Sequence, residues 1–157
     1  MNSVELIEMF AGNDPNGQPV VEKLVVRPDS DQGYQLIKSP AFVRGLASGD
    51  RIKFNRESNQ FELDQRSGNL CIRVYCRDEA KAVSESLTPP FEQLGGELDI
   101  ETPRMLVYTI HVSCGFQTIE SLLNEHVKDD ALWTYGNVYA EDGQTPLNWW
   151  NDLLKPQ

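Results

Sequence analysis

Two histidines and three cysteines have the strongest claim to chemistry in this chain. Histidine is the commonest general base, and His111 stands three residues before Cys114, in reach of a nucleophile–base pairing. On an extended strand, positions three apart point to opposite faces, so the two meet only if the chain turns at Ser113. Parity groups His111 with Met105, Val107 and Thr109, which reads as a structural histidine. His126 falls near a helix C-terminus, where a partial positive charge suits the helix dipole. Cys71, Cys76, His111, Cys114 and His126 form neither a C-x-x-C nor an H-x-x-x-H spacing, so neither metal nor cofactor is expected. Cys71 and Cys76, on opposite parities of one strand, are not expected to bridge.

Glu97, Asp99 and Glu101 alternate on a short segment and read as one strand face. Like charges in such a row belong on a solvated face or on a docking surface for cations. The spaced glycines of Gly45-Leu-Ala-Ser-Gly49 are followed by Asp50 and not by a lysine, so the segment reads as a turn rather than a phosphate cradle. Gly95-Gly96 closes a helix, the wrong end for an anion. Arg44, Arg51, Lys53, Arg56 and Arg66 are the nearest approach to a nucleic-acid patch, and Asp50, Glu57, Glu62 and Asp64 offset them.

Charge is unevenly shared. Residues 1–68 carry 8 Lys/Arg against 10 Asp/Glu, a net of −2, and residues 69–157 carry 6 against 14, a net of −8. From Phe91 onward the cations are Arg104, Lys128 and Lys155. Such a surface repels nucleic acid and anionic membranes and attracts basic proteins. No apolar run approaches the roughly 20 residues of a membrane helix. The first ten residues lack a basic n-region, and the odd cysteine count fits a reducing compartment. The expected location is the cytoplasm. The sequence does not fix an oligomeric state.

The elements that must position these groups fall into two patterns. Residues 1–68 read as short strands between turns, at about 1–10, 20–27, 34–38, 51–54 and 60–64, making a bent sheet or partial barrel. Residues 39–45 read as irregular. Ser67-Gly-Asn69 is a joint. Residues 70–76 form a strand with Leu70, Ile72 and Val74 on one side. A helix capped by Asp78 runs to about Leu87, with Ala80, Val83 and Leu87 inward; Pro89-Pro90 breaks it and opens a new turn, on which Phe91 and Leu94 extend the apolar face. Strands at 97–101 and 105–112 join through Thr102-Pro-Arg104. A helix follows from Phe116 to about Val127, then a strand over 132–139. The fold class is α+β: a β-rich first part, residues 1–68, and a split βαβ, ferredoxin-like second part, residues 69–157. Thr145 and Pro146 open a short helical tail that carries Trp149, Trp150, Leu153 and Leu154. Adjacent tryptophans on a helical turn diverge by about 100°, which leaves one packed and one exposed.

The run Ser39-Pro-Ala-Phe-Val-Arg-Gly-Leu-Ala-Ser-Gly-Asp50, with Leu94-Gly-Gly and Trp133-Thr-Tyr135, resembles a family of uncharacterised bacterial proteins that bears only a domain-of-unknown-function label. Ala41, between Pro40 and Phe42, is a small departure from its Pro-Phe-x-x-Gly pattern. The resemblance implies an α/β second half and a bacterial origin, and no activity. In topology and charge the second half also resembles ferredoxin-like regulators that inhibit a bacterial endoribonuclease.

With no catalytic motif, the chain reads as a non-catalytic acidic binding module, an immunity-type or regulatory inhibitor of a basic partner such as a nuclease or toxin. Its expected contact residues are Glu97, Asp99, Glu101, Asp129, Asp130, Trp149 and Trp150. The alternative is a small enzyme or ligand binder with a site between the two parts, near Asp50, His111 and Cys114.

Overall fold

The computed structural model describes residues 3–30 and 33–154. Lys155 and part of the turn expected at 28–33 lie outside them. Five strands form an antiparallel meander in the order β1 (Glu5–Asn13), β2 (Pro19–Ser30), β3 (Gly33–Leu36), β4 (Arg51–Asn55) and β5 (Gln60–Gln65). The β1–β2 turn is set by Asp14, whose Oδ1 accepts the backbone N–H groups of Asn16 and Gln18, both at 2.9 Å. The sheet curls until its edges meet. Phe10 N–H donates to the Asn59 carbonyl at 2.9 Å, and Arg56 pairs with Glu5 at 3.5 Å. Alternation puts Ile7, Met9, Leu24, Val26, Leu36, Ile52 and Phe54 inside this partial barrel.

The second half is a four-stranded antiparallel sheet with two helices on one face. Its elements run β6 (Asn69–Cys76), α1 (Lys81–Gln93), β7 (Glu97–Thr102), β8 (Met105–His111), α2 (Phe116–His126) and β9 (Ala131–Tyr135). The spatial order is β7-β8-β6-β9, the ferredoxin-like split βαβ expected from the sequence. Leu70, Ile72, Val74, Leu106, Tyr108 and Ile110 face the helices and meet Leu87, Phe91, Ile119 and Leu123.

Local readings of three elements are corrected. Helix α1 does not break at the prolines: Pro89 and Pro90 lie inside it. Packing overrides their missing N–H groups, because Phe91 stacks on Tyr108 with centroids 4.8 Å apart and Thr88 bonds the Tyr108 hydroxyl at 2.7 Å. Nor does Asp78 cap α1; Ala80 precedes the helix, with no side-chain cap. Strand β9 stops at Tyr135. Gly136 takes over the pairing with Cys71, and the Asn137 side chain replaces a backbone partner, accepting from Cys71 N–H and donating to the Asn69 carbonyl, both at 2.9 Å. A Cβ on Gly136 would lie 2.7 Å from Cys71 Sγ and 3.1 Å from the Arg73 guanidinium. The tail is a set of turns and not a helix. Thr145 does not cap it, but donates through N–H and hydroxyl to Asp142.

Candidate functional site

The long connection between β3 and β4, residues 37–50, has no regular structure, yet it crosses from the barrel onto the back of the second sheet. Ala41 and Ala47 cover Cys71, Met105 and Val107 there, while Val43 and Leu46 plug the barrel. A buried irregular segment must find partners for its own peptide groups, and here charged side chains supply many of them. Glu22 of β2 accepts the N–H groups of Ala41, Phe42 and Val43 at 2.6, 2.9 and 2.9 Å. Asp99 accepts Ser39 N–H at 2.8 Å. Asp50 accepts Ala47 N–H at 3.0 Å and Ser67 N–H at 2.8 Å. Carbonyls face the arginines. Arg73 of β6 donates to Pro40 and Val43 at 3.3 and 2.5 Å, and Arg66 donates to Gly45 at 3.0 Å. This clasp accounts for the run from Ser39 to Asp50 that stands out in the sequence.

The residues expected to act together are spread over different tasks. A bulge in β7 shifts the register between Leu98 and Ile100. It breaks the alternation, so Glu97, Asp99 and Glu101 do not share a face. Asp99 turns onto the clasp side and ends a relay in which Ser48 N–H donates to Ser39 Oγ (2.9 Å), Ser39 bonds Thr109 (2.5 Å) and Thr109 donates to Asp99 (2.6 Å). Burial raises the Asp99 carboxyl above its ordinary value, against the pull of the Ser39 and Thr109 bonds. Glu101 lies on the helix side, where Ser84 Oγ donates to it at 3.2 Å. Glu97 is exposed. Asp129 and Asp130 are exposed beside β9, and Asp130 is within 3.9 Å of Arg77.

Asp50 is 1% exposed and fastens the joint; burial raises its carboxyl, while Ser67, Ala47 and Arg66 pull the other way. The chain does turn after His111, in a 3-10 turn Val112–Cys114. The turn does not pair the two side chains, since His111 Nδ1 engages Ser113 at 2.8 Å and Cys114 Sγ donates to the Leu94 carbonyl at 3.3 Å. The His111 ring rests on Gly68, whose φ is +95° and where a Cβ would come within 2.5 Å of Nε2. Burial pushes the Cys71 thiol up to about 11, too high for a thiolate nucleophile. The cysteines are free. His126 ends α2 and bonds Ser86 Oγ at 2.5 Å.

Neither Trp149 nor Trp150 is the exposed anchor expected of one of them; both are half-buried. Trp149 Nε1 donates to the Asn137 carbonyl at 2.8 Å under the Arg66 guanidinium, and Trp150 meets Phe116 edge-on at 5.1 Å. The basic residues of the first half are dispersed: Arg51 pairs with Asp29 at 3.2 Å, and Arg56 lies over Tyr34 beside an open concavity of about 690 Å³. Among the described residues no group of three or more His, Cys, Asp or Glu is placed to hold a metal ion, and no helix is long and apolar enough to cross a membrane.

Glu22 and Arg73 are the residues that sequence reasoning missed. Each left a signal: Glu22 shares the inward parity of Leu24 and Val26, and Arg73 interrupts the apolar run LCIRVYC.

No curated protein matches the chain. A solved structure of a hypothetical protein from Neisseria gonorrhoeae is similar, with a TM-score of 0.64 at 18% identity over 87% of this chain and 94% of that one. At such identity the likeness is one of fold. A family model described as Domain of unknown function (DUF4265) matches residues 22–135. That span crosses both sheets and contains the whole clasp, from Glu22 through residues 37–50 to Arg66, Arg73 and Asp99, and the chain belongs to this family.

Proposed function

We propose that this chain is a non-catalytic binding protein that engages a basic protein through the acidic surface of its βαββαβ half, as an immunity-type or regulatory inhibitor of a partner such as a nuclease or toxin. One observation carries the reading. The cation at the centre of this half, Arg73, is 5% exposed and bonded inward, so its charge is withdrawn from the surface. Glu79, Glu85, Glu92, Glu97, Glu125 and Asp129 are exposed, and none is in an ion pair among the described residues. Asp99 of the same half is drawn into the clasp as well, so the surface keeps the net negative charge of the half, and a field of one sign steers an oppositely charged partner. Asp50, Asp99 and Cys71 are drawn into the fold, and the exposed His111 ring is occupied by Ser113.

The immobilised protein is challenged with lysate of its source cell at low and high salt, and retained proteins are read by mass spectrometry. A basic protein held at low salt and shed at high salt is expected. Glu97→Lys, Glu125→Lys and Asp129→Lys are each expected to weaken capture by roughly 0.5–1 kcal/mol, and His111→Ala to leave it intact. Capture that ignores salt and charge reversal but is lost in His111→Ala would overturn the reading in favour of a site at the joint.

A further inference from the structure

The helix layer of the acidic half is not flat. Helices α1 and α2 run antiparallel, with Ser86 meeting His126 at one end and Leu94 near Thr118 at the other. Between them lies an open groove of about 340 Å³. Pro90, Leu94 and Leu122 give it an apolar floor, and Thr118, Ser121 and Glu125 line the α2 side.

Two features of this layer define what fits. Pro89 and Pro90 bring no N–H, so the carbonyls of Glu85 and Ser86, one turn earlier on an exposed stretch, lose their usual helical donors. Glu125 brings a carboxylate to the groove itself, Glu85 and Glu92 are exposed farther round α1, and Lys81 at the start of α1 is the sole Lys or Arg on either helix. Acceptors in surplus around an apolar trough match donor-rich cations that flank an apolar side chain. They mismatch an acidic segment, and a wholly apolar one would leave the carboxylates desolvated.

We propose that this groove receives a basic amphipathic segment of the partner. An apolar side chain seats against Leu94 and Leu122, and flanking Lys or Arg side chains reach the Glu125 carboxylate and the Ser86 carbonyl freed by Pro90. The proposal rests on the acidic-surface reading and adds to it a location and a ligand chemistry.

Two synthetic peptides of equal length and charge test it, one of repeating Leu-Lys-Lys-Leu and one with serine in place of each leucine. Each is titrated at low salt into the full-length, isotopically labelled protein, and amide shifts are followed. The leucine peptide is expected to bind about tenfold tighter, with shifts concentrated at residues 85–94 and 118–125. Ser121→Arg, which fills the groove from an exposed position, is expected to abolish that advantage, as is Leu94→Gln; far-ultraviolet circular dichroism verifies that both variants fold. Equal binding of the two peptides, shifts elsewhere, or an advantage that survives both variants would overturn the groove and leave the acidic surface standing. If neither peptide binds even at low salt, the acidic surface falls as well.

Discussion

Arg73 holds a guanidinium inside the molecule with no carboxylate ion pair among the described residues. Such a charge is tolerable only because the Pro40 and Val43 carbonyls aim at it. Removing it strands both acceptors. Arg73→Met is therefore expected to cost about 2–4 kcal/mol in urea unfolding, whereas Arg77→Met, at an exposed pair, should stay within about 0.5 kcal/mol. Asp99 offers a test in pH. Its folded carboxyl is raised above the ordinary 3.8 by burial, so its contribution to stability is full below 3.8 and is lost as pH rises through the folded value. Asp99→Asn keeps an acceptor and cannot titrate. The stability difference between wild type and this variant should move in favour of wild type as pH falls from 7 to 4, and a difference flat across that range would contradict the assignment. The alternation of Glu97, Asp99 and Glu101 was legible, but the break that sends them to different faces was not. A bulge adds one residue without leaving a mark in the residue types, and everything beyond it changes sides.

Elements with a strong period were readable from the chain: β6, β8 and α2 lie within a residue or two of their expected bounds. The misreadings came where a tertiary partner outweighed a local rule. Phe91 and Thr88 hold α1 through two prolines, and Gly136 and Asn137 end β9 while continuing its pairing. The tail failed for another reason. Thr145-Pro146 is a good helix start, but Asp142 is a better acceptor nearby, and it takes Gln144 N–H and Thr145 N–H, both at 2.8 Å. Those bonds, with the Thr145 hydroxyl foremost, lower the Asp142 carboxyl to about 2. A depressed value acts in the opposite sense to Asp99. The turn is held above the ordinary 3.8 and released as pH falls through about 2. Amide exchange at Gln144 and Thr145 should accelerate over that window, and in Asp142→Ala it should be fast throughout.

For the whole molecule, the clasp couples two sheets that follow one another in sequence. Trp133, Trp149 and Trp150 all lie in the second half, so tryptophan fluorescence follows that half while far-ultraviolet circular dichroism follows both. The two unfolding curves should coincide in the wild type and separate in Arg73→Met; coincidence in both proteins would mean that other contacts carry the coupling. The barrel and the split βαβ could be foreseen as separate patterns. Their union could not, because it depends on peptide groups of an irregular segment meeting side chains from distant strands. This arrangement also governs what can be cut from the chain. Residues 37–50 are encoded with the barrel, yet they roof Cys71, Met105 and Val107. A fragment beginning at Asn69 would open that apolar sheet face to water and should aggregate when expressed alone, while co-expression of residues 1–68 should return it to solution. A break in the gene at the joint therefore yields two unfinished pieces, each of which needs the other to close its apolar face.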